Sequence, residues 1–335
     1  MAAFGIPSLS PELEATISSG LAEVESVLTS RIEGRYLFAN ETSRHLVVAG
    51  GKRFRPLITI LGSLVGNGIN DRVIKAAAVC ELTHLATLYH DDVMDEAPLR
   101  RGVESANSRW GNSVAILTGD YLFAKMSQIL AELGPEAVKL QADTFERLVI
   151  GQILETQGPG LNEDPLEHYL RVVADKTGSL IATSLRFGSM FAGCTKEEVE
   201  TLTSFGEKIG IAFQLADDII DIASDSLDSG KTPGTDLREG IPTLVTLNAM
   251  KSNDPNDASL KLALSGPIKS EEQVQWVINE LRGHKAMAES RIQLQQIAKE
   301  ARAALGALPI SESSSALYSL CDLVRSGRAS CRERV

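Results

Sequence analysis

At 335 residues, with 43% hydrophobic and 5% aromatic side chains and a formal net charge of -11, the chain can bury a large core. The acidic balance argues against a nucleic-acid partner and leaves any anionic substrate dependent on local cations. Four scattered cysteines, Cys80, Cys194, Cys321 and Cys331, make no C-x-x-C pair, and neither an apolar span nor a leader-like start is found, so a cytoplasmic protein with no transmembrane segment is predicted.

Apolar residues recur at helical spacing in nearly every long segment, while period-2 alternation is scarce, which predicts an all-α fold. Breaks fall near Gly50-Gly51, Pro98 to Gly102, Gly134-Pro135, Gly158 to Gly160, Gly230 to Gly234 and Pro255. None is a long linker and no internal repeat is found, so residues 1–325 are read as a single domain of ten or more helices. Residues 326–335, SGRASCRERV, change composition abruptly and are read as a disordered or expression-derived tail.

In chain order, the first chemistry-bearing stretch is Gly50-Gly51-Lys52-Arg53-Phe54-Arg55-Pro56, a flexible turn with three cations. CELTHLATLYHDDVMD follows, an apolar helical run that ends in Asp91, Asp92 and Asp95. Three carboxylates within one turn repel one another, and near a helix C-terminus the macrodipole adds to the cost. A solvated helix end would be the bland explanation; a hard divalent cation sharing its shell with phosphate oxygens answers the charge better. Arg100-Arg101 comes next. Asp164-Pro165 suits an N-cap and first helical position, Lys176-Thr177-Gly178 adds a cation and a hydroxyl, and Thr195 with Glu198 reads as a capping box.

Residues 213–221, FQLADDIID, then repeat the acidic spacing with Asp217, Asp218 and Asp221, and Gly230-Lys231-Thr232 follows. Ser270 with Gln273 is a further capping box. Two clusters of identical spacing, each with basic residues nearby, are hard to explain as two solvated helix ends. Arg for bidentate contacts, Lys for compact charge and Thr for a hydroxyl are what metal-bound diphosphates require. A P-loop is excluded because Asp225 stands where its first Gly would be, and no G-x-G-x-x-G opens a βα unit. His84 lies two turns before Asp91 on the same helix face, a position that suits a contact with the same ligand as well as a satisfied structural histidine.

GGKRFRP, ELTHLATLYHDDVMDEAPLRRG, DKTGSL and FQLADDIIDIASDSLDSGKTPGTDLREG, in this order, closely resemble the trans-isoprenyl diphosphate synthases, or polyprenyl synthetases, from about residue 12 to about residue 325. The resemblance implies an all-α bundle around a deep central cavity, usually a homodimer. It also implies a prenyltransferase that condenses isopentenyl diphosphate head-to-tail with an allylic diphosphate. Asp91 and Asp95, supported by Asp92, would hold a pair of Mg²⁺ ions on the allylic diphosphate, and Asp217, with Asp218 and Asp221 nearby, a third. Arg100, Lys176, Thr177, Gln214 and Lys231 would contact the allylic diphosphate or the metal-bound cluster; Lys52, Arg55, His84 and Arg101 would bind isopentenyl diphosphate, with Gly51 letting the backbone approach. The family's reaction is ionisation of the allylic C–O bond, attack by the isopentenyl double bond and loss of a proton to the released diphosphate. One departure is Ile241, in Gly240-Ile241-Pro242-Thr243-Leu244, where many members carry a Lys.

The elongating hydrocarbon is expected to run down the first acidic helix, where one turn, about 5.4 Å, approximates one isoprene unit. Short-product members commonly place an aromatic residue four or five positions before the first Asp. Here those positions are Thr87 and Ala86, with Thr83 and Cys80 deeper. A product longer than twenty carbons is expected, with geranylgeranyl (C20) or farnesyl (C15) diphosphate as the alternative. A terpene cyclase would not need the GGKRFRP loop, and a non-catalytic partner subunit would not need both acidic clusters intact.

Overall fold

The computed structural model describes residues 9–223 and 233–325. The chain runs α1 (Pro11–Ile32), α2 (Leu37–Val48), α3 (Phe54–Ser63) and α4 (Asp71–Met94), then a two-stranded hairpin, β1 (Leu99–Arg100) and β2 (Val103–Glu104). It continues with α5 (Ala106–Trp110), α6 (Asn112–Leu133), α7 (Pro135–Gln157), α8 (Pro165–Val173), a π-helical turn (Ala174–Gly178), α9 (Ser179–Phe191) and α10 (Lys196–Ala223). After residue 232 come α11 (Thr235–Glu239), α12 (Leu244–Met250), α13 (Ala258–Ala263), α14 (Glu271–Gly283), α15 (Lys285–Ala304) and α16 (Glu312–Arg325). The all-α expectation holds, with the hairpin as the exception where a plain break was read.

Local signals explain many of the ends. Ser10 caps α1 ahead of Pro11, and Asn70 caps α4 by accepting from Val73 N. Asp164 accepts from Leu166 N and Glu167 N ahead of Pro165, as read from the sequence. The Thr195–Glu198 box closes in both directions, whereas Ser270 makes only the forward bond to Gln273 N. The hairpin turns at Arg101 and Gly102, both at positive φ (56° and 76°), with Leu99 opposite Glu104 and Arg100 opposite Val103.

The interior is organised by α4, whose buried residues run on every side from Val73 to Asp92. A helix apolar all round belongs inside a bundle. It is surrounded by α1, α3, α6 and α9, while α10 backs onto α9 and in turn supports α15. Apolar side chains from α1 through α16 join one core. Backbone contact replaces side chains at several crossings. A Cβ on Gly188 would stand 2.0 Å from Thr59 O, and one on Gly206 2.6 Å from Ala182 Cα, so α3, α9 and α10 pack backbone to backbone. The C-terminal ends of α4 and α10 and the π turn are thereby held in fixed relation.

Candidate active site

The first acidic cluster forms the last turn of α4, with Asp95 as its C-cap. Asp91 is half-buried, Asp92 fully buried and Asp95 exposed. Burial pushes the Asp91 carboxyl up to about 6; Lys176 opposes the shift and Asp95 adds to it. Asp92 and Asp95 are also raised, burial again being the largest cause. Asp92 is tied down by Arg100, whose Nε donates to Oδ1 at 2.6 Å, and its Oδ2 is buried without a partner. The resemblance implies that Arg100 contacts the allylic diphosphate or the metal-bound cluster; in this structure its Nε secures the middle carboxylate of the first motif.

Lys176 and Thr177 sit on the π turn between α8 and α9. The extra residue of a π turn swings side chains off the helical register, a common device at functional sites. This one is clamped from two sides. A Cβ on Gly151 of α7 would lie 2.7 Å from Lys176 N, and one on Gly210 of α10 would lie 2.9 Å from Gly178 Cα. Arg147 adds ion pairs to Asp175 at 2.8 Å and Glu207 at 2.6 Å. Burial lowers the Lys176 pKa, yet the neighbouring Glu155, Asp91 and Asp95 outweigh it and the net direction is upward. Lys176 donates to Glu155.

The second cluster lies near the C-terminal end of α10, with Asp217 and Asp218 buried and Asp221 half-buried. Asp218 gathers donors from three elements. Gln214 Nε2 donates to Oδ1 at 3.0 Å, and Tyr169 Oη of α8 and Leu244 N at the start of α12 (3.1 Å) both donate to Oδ2. Gln214, expected on the allylic diphosphate or positioning the second cluster, here orients Asp218. Leu244 belongs to the segment that departs from the family at Ile241, and the Thr243 capping box holds its backbone in place.

The basic loop splits by function. Gly51 (φ 140°) and Lys52 are exposed, and Phe54 packs edge-on against Phe213, ring centroids 4.6 Å apart, which sets the loop beside the second acidic helix. Arg53, at φ 48°, turns inward to Glu25, to Glu81 at 3.0 Å and to Val47 O at 2.9 Å. Arg55 is half-buried with Nε unpartnered, and His84 is half-buried on α4. Arg101, expected on isopentenyl diphosphate, is instead directed inward: it donates to Leu46 O at 2.6 Å and to Gly50 O and approaches Glu81 at 3.8 Å. The reason is the hairpin turn, whose positive φ at Arg101 aims the side chain back at the open C-terminal end of α2. Lys231, with Gly230 and Thr232, lies outside the described residues.

Sequence reasoning missed Glu81, Glu155 and Tyr169. Glu81 is a buried carboxylate in an apolar helix, a pattern that by itself calls for a cationic partner. Glu155 follows Gly151 by one turn, and Tyr169 precedes Lys176 by about two; nothing in one sequence ties either to the acidic motifs.

Paired acidic motifs at the ends of two long helices, a lysine on a π turn beside the first of them and an all-α bundle are the features expected of a prenyltransferase acting on isoprenoid diphosphates. The polyprenyl synthetase family's sequence profile matches residues 38–281, and the chain belongs to that family. It is 48% identical over 309 residues to the nonaprenyl diphosphate synthase of Mycobacterium tuberculosis, covering 92% of each chain. It is 30% identical over 304 residues to the octaprenyl diphosphate synthase of Escherichia coli, covering 90% of this chain and 94% of the relative. Among solved structures, geranylgeranyl pyrophosphate synthase from Corynebacterium glutamicum, complexed with calcium and isoprenyl diphosphate, superposes with a TM-score of 0.86 at 43% identity, covering 95% of this chain and 98% of that one.

Proposed function

We propose that the protein makes an all-trans polyprenyl diphosphate longer than twenty carbons from isopentenyl diphosphate and an allylic primer. The observation that carries the site assignment is the arrangement around Lys176, with its ammonium next to Glu155 and in the field of Asp91 and Asp95 on one side of the π turn. On the other side, the same turn is locked onto α10, which bears Asp217. Carboxylates held in a site that raises their pKa fit a divalent cation, which lowers the cost of keeping them ionised.

In this reading Asp91, Asp95 and Asp217 hold Mg²⁺, while Asp92 and Asp218 act as anchors and Asp221 stands behind Asp217. Bound Mg²⁺ supplies Lewis-acid stabilisation of the leaving diphosphate. Lys176, Thr177 and Lys231 bind and orient that diphosphate, and Lys176 supplies a fixed positive charge where negative charge develops. Lys52, Arg55 and His84 hold isopentenyl diphosphate, with Gly51 allowing close backbone approach. Arg101 secures Gly50 and so fixes this loop. Placing the two substrates side by side removes most of the entropic barrier to attack. No cysteine or histidine is needed as a nucleophile.

Small side chains at Ala86 and Thr87 support the longer product, as does the likeness to the nonaprenyl synthase. A twenty-carbon product is the second reading, favoured by the likeness to the Corynebacterium enzyme. Exposed apolar residues on α6 (Ile116, Leu117) and α7 (Val138, Val149, Ile153) support a homodimer built on these helices. A cytoplasmic location is supported by free Cys80, Cys194 and Cys321 and by the absence, among the described residues, of a helix long and apolar enough to cross a membrane.

The test is product analysis with Mg²⁺, labelled isopentenyl diphosphate and allylic primers of five, ten, fifteen and twenty carbons in turn. Products beyond twenty carbons are expected. A stop at fifteen or twenty carbons would overturn the chain length alone, and no incorporation with any primer would overturn the activity.

A further inference from the structure

Two hydrogen-bonded crossbars lie in the bundle below the acidic site. Gln141 Nε2 of α7 donates to Thr83 Oγ1 of α4 at 3.0 Å, and Thr183 of α9 meets Thr144 of α7 with 2.6 Å between hydroxyl oxygens. All four side chains are buried, at 0% to 5% exposure, among apolar helices. Thr83 lies eight residues before Asp91, about 12 Å down the helix, and with Thr87 it falls within about 80° of Asp91 around the axis. Ala86 is turned farther round, toward α6, where its carbonyl oxygen lies 3.0 Å from where a Cβ on Gly119 would be. That face, Asp91, Thr87 and Thr83, is flanked on the α6 side by Ala86, and Gln141 of α7 reaches across it at the depth of Thr83.

The bond directions can be assigned. Thr83 Oγ1 donates to Val79 O at 2.8 Å, so toward Gln141 it can only accept. That fixes the Gln141 amide nitrogen as the donor and leaves Oε1 buried with no hydrogen-bond partner. Thr144 Oγ1 likewise donates to Leu140 O at 2.7 Å, so Thr183 is the donor in the second bar. A buried amide with one carbonyl lone-pair set unmet is an expense that packing alone would have removed by using an apolar residue.

We propose that Gln141, latched to Thr83, is a product-length determinant: a polar gate across the hydrocarbon path in place of a bulky aromatic floor. This rests on the prenyl-elongation reading above. A growing chain that reaches this depth has to displace the amide and strand its partners, so each further unit is opposed until apolar burial outweighs the lost hydrogen bond. The half-satisfied amide is held by one bond, which lets the gate yield where a rigid ring would not. The neighbouring bar between Thr144 of α7 and Thr183 of α9 ties the same part of α7 to α9.

The test compares the full chain with Gln141→Leu, Thr83→Val and Gln141→Phe, using Mg²⁺, labelled isopentenyl diphosphate and a fifteen-carbon allylic primer. Gln141→Leu and Thr83→Val keep the side-chain volume and remove the bond. Both are expected to shift the product distribution upward by at least one isoprene unit with the rate of the first condensation unchanged. Gln141→Phe is expected to shift it downward, and Gln141→Met serves as a control for folding should the ring not be accommodated. Unchanged product length in both Gln141→Leu and Thr83→Val would overturn the gate. A wild-type chain that incorporates nothing would overturn the activity reading instead, so the two failures are distinguishable.

Discussion

The two acidic motifs share one spacing and are built differently. In α4 the middle carboxylate, Asp92, is buried and held by a single charged partner, Arg100, at 2.6 Å. In α10 the middle carboxylate, Asp218, is equally buried but accepts from neutral donors on Tyr169, Gln214 and the Leu244 backbone. In both cases the middle Asp is anchored by side chains or backbone from other parts of the fold. The first motif depends on one arginine from a tight hairpin, whereas the second distributes its load over three elements. Losing one partner should therefore hurt the first more than the second.

The largest expected effect removes a proposed metal-holding carboxylate from either motif. Asp91→Ala or Asp217→Ala should lower turnover by about 10²-fold or more while circular dichroism and melting stay near wild type, because what is lost is charge stabilisation in the transition state. Near-normal turnover in either variant would refute the metal assignment. Next comes Arg100→Gln, which leaves the buried Asp92 carboxylate without its cation and should cost about 3 kcal/mol in urea denaturation. Asp92→Asn in the same background should recover part of it.

Tyr169→Phe probes the second motif in the same way. With Gln214 and Leu244 N still donating, a loss of about 1–2 kcal/mol is expected. If Tyr169→Phe proves as damaging as Arg100→Gln, the contrast between the motifs fails. The smallest effect is a slope with pH. Asp91 binds its proton more tightly when folded, so its own contribution to metal-free stability is fully present below its unfolded pKa of 3.8 and is lost as pH rises through about 6. Melting temperatures across that window should fall with pH in chelator and flatten when Mg²⁺ is added; an identical slope in both would separate Asp91 from the cation.

The helical class, the Asp164 and Thr195 caps, and both acidic clusters were legible in the sequence because each depends on spacing along one segment. The cationic loops were legible as composition only. Arg53 and Arg55 stand two apart, yet Arg53 goes to the buried Glu81 while Arg55 lies in the first turn of α3. Similarly, Arg100 and Arg101 are adjacent, and the positive φ at the hairpin turn sends them to different partners.

What the sequence determined by itself was therefore the local chemistry: which helices exist, and where carboxylates at i, i+1 and i+4 crowd one turn. Only the tertiary structure decided which charges remain available. Anchors such as Tyr169, the clamp of Gly151 on the π turn and the bar from Gln141 to Thr83 join residues 49, 25 and 58 positions apart. Their partners are selected by backbone approach between helices and by the need to satisfy buried polar groups, and neither constraint leaves a periodic trace along the chain.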